Sequence, residues 1–159
     1  MTVASSITLA LMSDAPAIAR MSRLYIEQGL SWSWNVARVE GAIRCESINV
    51  AVLRERIDLA GFGIMQYGDR TAHLALLAVH PEYRRQGVAA RLLAWLEKCA
   101  DTAGIERIGV EARSDNPTAI AFYQRHGYVQ LARVPGYYQG RIDAFRFEKN
   151  LWVTSENNS

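Results

Sequence analysis

Apolar and polar residues alternate along several short segments, and this period of two is typical of a β-strand with one buried face. The segment 108–113 shows it clearly, because apolar residues fill every second position while Glu111 and Arg113 lie on the other face. Similar patterns, bounded by turn residues, predict seven strands. They cover residues 7–12, 48–54, 59–67, 73–79, 108–113, 128–134 and 144–151.

Apolar residues spaced three and four apart predict four helices between these strands. The helices cover residues 14–26, 36–44, 87–102 and 116–126. The last has the clearest ends, because Asn116 suits an N-cap, Pro117 a first turn and Gly127 a left-handed exit. The order of helices and strands indicates a mixed α/β fold.

The composition indicates a single globular domain. Half of the 159 residues are hydrophobic, so we expect one domain over residues 1–153, followed by a disordered polar tail over residues 154–159. The net charge of +2 argues against a nucleic-acid partner. No apolar run reaches the roughly 18 residues of a membrane span, and we expect no membrane partner and a cytoplasmic protein. Cys45 and Cys99 lack metal-ligand or redox spacing, which predicts free thiols.

The turn between the strand ending at Val79 and the helix starting at Gly87 has the composition of an anion-binding loop. The first N–H groups of a helix have no intrahelical partner, and they favour a bound phosphate. Gly87 and Ala89 would let the phosphate approach the backbone, while Arg84 and Arg85 add positive charge. The turn lacks the P-loop lysine and the three glycines of a dinucleotide-binding turn.

Two motifs resemble the signatures of the GNAT superfamily of acyl-CoA N-acyltransferases. The turn reads Arg84-x-x-Gly87-x-Ala89, and the short helix reads Asn116-x-x-Ala119-x-x-x-Tyr123, followed by Gly127-Tyr128. The resemblance covers residues 7–151. Residues 110–113 and 136–138 make the chain most similar, within this superfamily, to the N-alpha (alanine) acetyltransferases of ribosomal proteins.

The resemblance implies the GNAT fold, a mixed and mostly antiparallel sheet of about seven strands with about four helices. In this fold the fourth and fifth strands splay apart and acetyl-CoA, the acyl-donor cosubstrate, enters the gap. The positions that the resemblance assigns to the cofactor are Leu77, Ala78, Val79, Arg84, Arg85, Gln86, Gly87, Val88, Ala89, Ala90, Asn116 and Tyr123. Ala90 stands where relatives often have a basic residue, so we expect weaker binding of the cofactor phosphates.

Acyl transfer to an amine requires a proton acceptor for the amine and a proton donor for the leaving thiolate. The resemblance assigns the acceptor role to Glu111, directly or through water, and the donor role to Tyr123. From the residues alone, pairing with Arg107 or Arg113 on a solvated face is the favoured explanation of Glu111, and packing in the core is an alternative for Tyr123.

Aromatic residues in two connecting segments are candidates for the acceptor pocket. Trp32 and Trp34 lie between the first two helices, and Tyr137 and Tyr138 lie between the last two strands. Related enzymes build the pocket there, although each ring has core packing as an alternative. Glu27 is expected at the solvated surface, with charge selectivity as the alternative. The three histidines lack metal-ligand spacing, and none is assigned to catalysis.

The function predicted from these residues is the transfer of an acetyl group to a primary amine, by direct attack, with a protein or peptide alpha-amine as acceptor. One alternative is a small-molecule amine such as a polyamine, an amino acid or an antibiotic. The other is a non-catalytic module that senses acyl-CoA. No metal is expected, and a homodimer is possible because sheets of this superfamily often pair at their edges.

Overall fold

The computed structural model describes residues 6–56 and 58–152. In these residues seven strands form one sheet of order β1-β2-β3-β4-β5-β7-β6. The strands are β1 (Ser6–Leu9), β2 (Ile48–Glu55), β3 (Asp58–Tyr67), β4 (Thr71–Val79), β5 (Arg107–Arg113), β6 (Val129–Tyr138) and β7 (Ile142–Asn150). The four α-helices are α1 (Ala15–Met21), α2 (Val36–Arg44), α3 (Val88–Thr102) and α4 (Pro117–Arg125). This architecture confirms the predicted fold class.

The chain divides into two compact units. The first unit contains the residues up to Gln66 together with Ala75–Cys99, and the second contains Tyr67–Leu74 together with the residues from Ala100 onward. The prediction of a single domain over residues 1–153 stays a prediction. None of the helices in the described residues is long and apolar enough to cross a membrane.

The core of the first unit lies between helices α1 and α2 and one face of strands β2, β3 and β4. Phe62 and Ile64 on β3 are completely buried there against Ile18 of α1 and Val39 of α2. Phe62 and Ile64 are two positions apart, so they lie on the same face of β3. Burial of such large apolar side chains is the main stabilising contribution to the unit.

Helix α3 packs on the opposite face of β3, where two glycines replace side chains. A Cβ atom at Gly61 would lie 2.9 Å from Val88 Cγ1, and one at Gly63 would lie 2.8 Å from Leu96 Cδ1. Real carbon atoms do not approach so closely, so the two glycines let the side chains of α3 pack directly on the backbone of this strand.

The second unit is built around strand β5. The N-terminal part of β4 pairs with β5 in parallel, from Thr71 with Arg107 to Leu74 with Val110. On its other side β5 pairs with β7 in antiparallel register, which sets Glu111 directly opposite Arg146. The β4–β5 pairs end at Leu74, although β4 itself continues to Val79, and this agrees with the expected splay of these two strands.

Several predicted boundaries differ from the structure. The first strand ends at Leu9 rather than at residue 12, because Met12–Asp14 forms a 3-10 turn. The Asp14 carboxylate stabilises this turn by accepting a hydrogen bond from the Leu11 N–H (2.7 Å) and pairing with the Arg54 guanidinium. The first helix continues past Met21 as a π-helical turn, Ser22–Ile26. The predicted tail, 154–159, lies outside the described residues.

Candidate active site

The turn before helix α3 has a backbone conformation suited to binding an anion. Gly87 has φ = 76° and is followed by the first helical residue, Val88. Nothing lies within 4 Å of a Cβ atom placed at Gly87, so the backbone of this residue is open. Arg85 also has a positive φ, 64°, although it is not glycine. Left-handed residues before a helix N-terminus point successive N–H groups outward, and such groups bind phosphates.

The side chains of this turn bond to the chain just before it. The Arg84 Nε donates to the Val79 carbonyl (3.4 Å), and its guanidinium lies over the Tyr25 ring, 5.5 Å from the centroid. The Gln86 side-chain amide donates to the Glu82 carbonyl (3.3 Å). Helix α3 therefore begins from a turn that is connected to the end of β4. Leu77, Ala78 and Val79 are the last residues of that strand, and Ala89 and Ala90 lie in the first turn of α3.

Glu111 lies at the centre of a polar cluster in the second unit. Its carboxylate accepts a hydrogen bond from Arg146 Nε (3.1 Å) at one oxygen and contacts His73 Nε2 through the other. Tyr137 lies close enough to this carboxylate for its negative charge to raise the Tyr137 pKa. The expectation that Glu111 pairs with Arg107 or Arg113 is wrong. Arg107 lies 3.8 Å from Glu148, and Arg113 pairs with Asp115 at 2.9 Å.

These donors keep Glu111 ionised although its side chain is only 10% exposed. Burial opposes ionisation of the carboxyl, but the bonds and charges of His73 and Arg146 outweigh it and hold the Glu111 pKa below its usual value. The same environment raises the pKa of Tyr137, through burial and the negative charge of Glu111. Glu111 is thus a stabilised anion whose oxygens already have donors.

Tyr123 occupies the buried face of helix α4. Its ring packs edge-on against Tyr128, with centroids 5.6 Å apart, and near Phe147 at 6.3 Å. Burial raises its pKa strongly, so the phenol stays protonated. A proton donor must keep its proton until the leaving group needs it, and this environment provides that property. Burial raises the pKa of Tyr138 in the same way.

Asn116 caps helix α4 as predicted. Its side-chain oxygen accepts a hydrogen bond from the Ala119 N–H (3.1 Å). Pro117 follows in the first turn, where its missing N–H costs nothing. The cap explains Asn116 structurally, and a contact of this residue with a cofactor stays a prediction.

The loop between α1 and α2 is organised by Glu27, whose expected place at the solvated surface is wrong. Glu27 is buried and accepts hydrogen bonds from the Ser22 hydroxyl (2.9 Å), the Ser33 N–H (2.8 Å) and hydroxyl (2.5 Å), and the Trp34 N–H (3.3 Å). Burial alone would raise the Glu27 pKa, but these donors outweigh it and lower the value. Trp34 lies in the core, while Trp32 is partly exposed.

His73 and Arg146 were not identified from the sequence as members of these clusters. Glu27 was considered, but its buried position was not predicted. His73 and Arg146 reach Glu111 through strand pairing between distant segments, which no local pattern encodes. The signal for Glu27 was its position between Ser22 and the segment of alternating serines and tryptophans, 31–34. In the described residues, no group of three or more His, Cys, Asp and Glu side chains is placed to hold a metal ion.

Comparison with known proteins identifies the class that this fold and these clusters define. The family described as "Acetyltransferase (GNAT) family" matches residues 20–128. The chain therefore belongs to the GNAT acetyltransferase family.

Individual relatives agree with this assignment. N-alpha-acetyltransferase 30 of Schizosaccharomyces pombe is 36% identical over 47% of this chain and 50% of that protein, so the match spans about half the length of this relative. An N-alpha-acetyltransferase of Saccharolobus solfataricus is 28% identical over 88% of this chain and 89% of its own. The structure of the ribosomal-protein-S18-alanine N-acetyltransferase from Escherichia coli has a TM-score of 0.78 and 27% identity, covering 93% of this chain and 94% of that one.

Proposed function

We propose that this protein transfers the acetyl group of acetyl-CoA to the alpha-amine of a protein or peptide. The observation that carries the proposal is the polar cluster in which Arg146 Nε donates to the Glu111 carboxylate (3.1 Å) and the charge of that carboxylate acts on Tyr137. The sequence predicted a proton-handling role for Glu111 and an acceptor-pocket role for Tyr137, and the two share one polar cluster. Three of the relatives named above are N-terminal or alanine N-acetyltransferases, which supports this choice of acceptor.

The cofactor turn belongs to the first unit. In the first unit, the open backbone at Gly87 and the first N–H groups of α3 fit a pyrophosphate, which supports this turn as the cofactor site. Acetyl-CoA, when bound, supplies an activated acyl group. The Arg84 and Arg85 side chains add positive charge around that turn.

In the second unit, the Glu111 cluster receives a proton and Tyr123 gives one. The amine nitrogen forms the new C–N bond as the C–S bond breaks, and the amine proton passes to the Glu111 cluster. The Tyr123 phenol protonates the departing thiolate, since burial keeps that phenol neutral. An alpha-amine suits this reaction because its ordinary pKa of about 7.7–8.0 leaves a fraction of it neutral at physiological pH.

Trp32 and the Tyr137–Tyr138 pair are the proposed contacts for the acceptor. Both tyrosine rings meet edge-on, with centroids 4.9 Å apart, so they present a rigid aromatic surface. We place the reaction in the cytoplasm, since Cys45 and Cys99 are both free thiols in the structure. A homodimer stays a prediction, and the exposed Val129 and Leu131 on the edge strand β6 are two of the apolar residues that could contribute to one.

The experiment that tests the function is the release of CoA thiol from acetyl-CoA in the presence of different amines. The panel contains peptides with free N-termini, N-terminally blocked peptides with lysine, polyamines and aminoglycosides. We expect turnover on free N-termini, with a large loss in Glu111→Gln and Tyr123→Phe. Selective turnover of polyamines or aminoglycosides would contradict the acceptor assignment. Tight acetyl-CoA binding without turnover of any amine would identify a sensing module instead.

A further inference from the structure

Strand β6 contains a wide bulge near its end, and Tyr137 lies in this bulge. The register shifts between two neighbouring pairs of β6 and β7, which are Val134–Ala144 and Tyr138–Ile142. Residues 135–137 of β6, called here the β6 bulge, therefore lie opposite a single residue of β7, Asp143. Bulges are frequent beside active sites, where they change the direction in which a side chain points.

The β6 bulge brings two consecutive tyrosine rings together. Neighbouring side chains of a regular strand point to opposite faces of the sheet. The rings of Tyr137 and Tyr138 instead meet edge-on, with centroids 4.9 Å apart. Burial is the main cause that raises the pKa of each phenol, and the negative charge of Glu111 contributes to both shifts. Both rings therefore lie near the Glu111 carboxylate, in an arrangement that depends on the shape of the bulge.

The Asp143 carboxylate replaces the strand pairing that the β6 bulge interrupts. Pro135 has no N–H, so Gly136 carries the first backbone donor of the bulge. Asp143 Oδ1 accepts a hydrogen bond from this Gly136 N–H (2.9 Å), while Oδ2 accepts bonds from Arg133 Nε (3.0 Å) and Nη2 (2.8 Å). These bonds hold the pKa of the Asp143 carboxyl below its usual value, and the Gly136 N–H contributes most. Hydrogen bonds to a carboxylate are stronger than bonds between neutral groups.

The backbone of Asp143 is bonded on its other side to the end of β5. Its carbonyl accepts a hydrogen bond from the N–H of Ser114, the residue that follows this strand (2.9 Å). Asp143 thus connects the strand that carries Glu111 with the bulge that carries Tyr137, through its main chain on one side and its side chain on the other.

We propose that Asp143 is a positioning residue for the amine acceptor: it holds the β6 bulge, and with it the two tyrosine rings, beside Glu111. This inference rests on the proposed function, and it names the group that fixes the aromatic side of the same acceptor site. An aromatic surface that is already in place binds its ligand more tightly, because ordering it during binding would cost free energy. Asp143 acts through the backbone of Gly136 and not by contact with the acceptor.

The first test compares the kinetics of wild type, Asp143→Ala, Asp143→Asn and the control Glu148→Gln. Glu148 lies on the same strand and pairs with Arg107 at 3.8 Å, and its side chain is 31% exposed, against 30% for Asp143. We expect Asp143→Ala to raise the KM for a peptide acceptor about 10-fold and to leave the KM for acetyl-CoA unchanged. Asp143→Asn should recover most of the loss, because its amide oxygen still accepts the Gly136 N–H. The control should match wild type.

A second measurement needs no turnover. Hydrogen exchange followed by NMR should show a protected Gly136 amide in wild type and in Asp143→Asn. In Asp143→Ala this amide should exchange about 10-fold faster or more, while the amides of β5 keep their protection. A Gly136 amide that is unprotected in wild type would overturn the proposal.

The kinetic outcomes separate this proposal from the proposed function. A wild-type protein inactive on every amine would overturn the proposed function and the positioning role together. An active wild type with an unchanged acceptor KM in Asp143→Ala would overturn only the role of Asp143. Equal rises in the KM for the acceptor and for acetyl-CoA would also overturn that role, since they would indicate a general effect on the fold.

Discussion

Trp32 and Trp34 lie two positions apart in one loop but have opposite environments. Trp34 is 7% exposed and packs in the core of the first unit, with the Arg38 guanidinium 3.8 Å from the centroid of its ring. Trp32 is 39% exposed, and its indole N–H donates to the Ala19 carbonyl (3.2 Å). Only the Trp32 ring is therefore exposed enough to contact an acceptor.

This difference predicts opposite effects of two matched substitutions. Trp32→Ala should raise the KM for a peptide acceptor about 10-fold, a typical cost of losing an aromatic contact, with little change in stability. Trp34→Ala should instead lower the free energy of unfolding by about 3–5 kcal/mol, because it leaves a cavity in the core. Steady-state kinetics and urea denaturation of both variants check this, and a stable Trp34→Ala would contradict the core assignment.

The proposed cofactor turn predicts a specific loss of CoA affinity in Gly87→Ala. The positive φ of Gly87 makes alanine unfavourable by about 1–2 kcal/mol, and relief of this strain would turn the N–H groups away from the phosphate. We expect CoA binding about 10-fold weaker by calorimetry. Gly104→Ala is the matched control, because Gly104 has φ = 81° and equally open surroundings. It should lose similar stability and no affinity.

Tyr123→Phe should lower kcat by about 100-fold while the protein stays folded, since it removes only a proton donor. Because burial raises the Tyr123 pKa, the donor stays protonated throughout the neutral range, and wild-type activity should not fall there on its account. Tyr128→Phe changes a second buried tyrosine of the same aromatic group and should keep its kcat. Equal losses in both variants would indicate a packing role for Tyr123.

The buried Glu27 predicts a loss of stability in acid. Folding holds the Glu27 pKa below its ordinary value of 4.5, so its contribution is complete above that pH and disappears as the pH falls below it. Glu27→Gln should lower the free energy of unfolding at pH 7 by about 2 kcal/mol and weaken the pH dependence between pH 5 and 3. Denaturation of this variant beside Glu46→Gln, a change at an exposed carboxyl, measures both effects. An unchanged acid slope would contradict the role of Glu27.

Local patterns were sufficient to predict most of the fold. The alternation in β5 and the cap, proline and exit glycine of α4 are encoded within a few residues, and the structure places those elements where the sequence indicates. The π-helical turn Ser22–Ile26 was not predicted, since its residues continue a helical pattern and only packing distinguishes the two geometries.

The polar clusters were harder to predict because they depend on strand register. Glu111 was identified from its motif, but its partners His73 and Arg146 are 38 and 35 positions away in the chain. Which side chains face each other across strands is set by the pairing of the whole sheet, and a shift of one residue would move His73 to the opposite face. The motif therefore identifies Glu111 but does not predict which side chains surround it.

Helix α3 packs closely on β3 where the strand has glycines, at Gly61 and Gly63. A Cβ atom at Gly61 would lie 2.9 Å from both the Ala78 carbonyl oxygen and Val88 Cγ1, so either β4 or the start of α3 would have to shift. A glycine-to-alanine substitution on β3, away from the proposed phosphate contacts, would then alter the affinity for CoA. The lack of side chains at these two glycines therefore affects where helix α3, and the proposed cofactor turn before it, lie on the sheet.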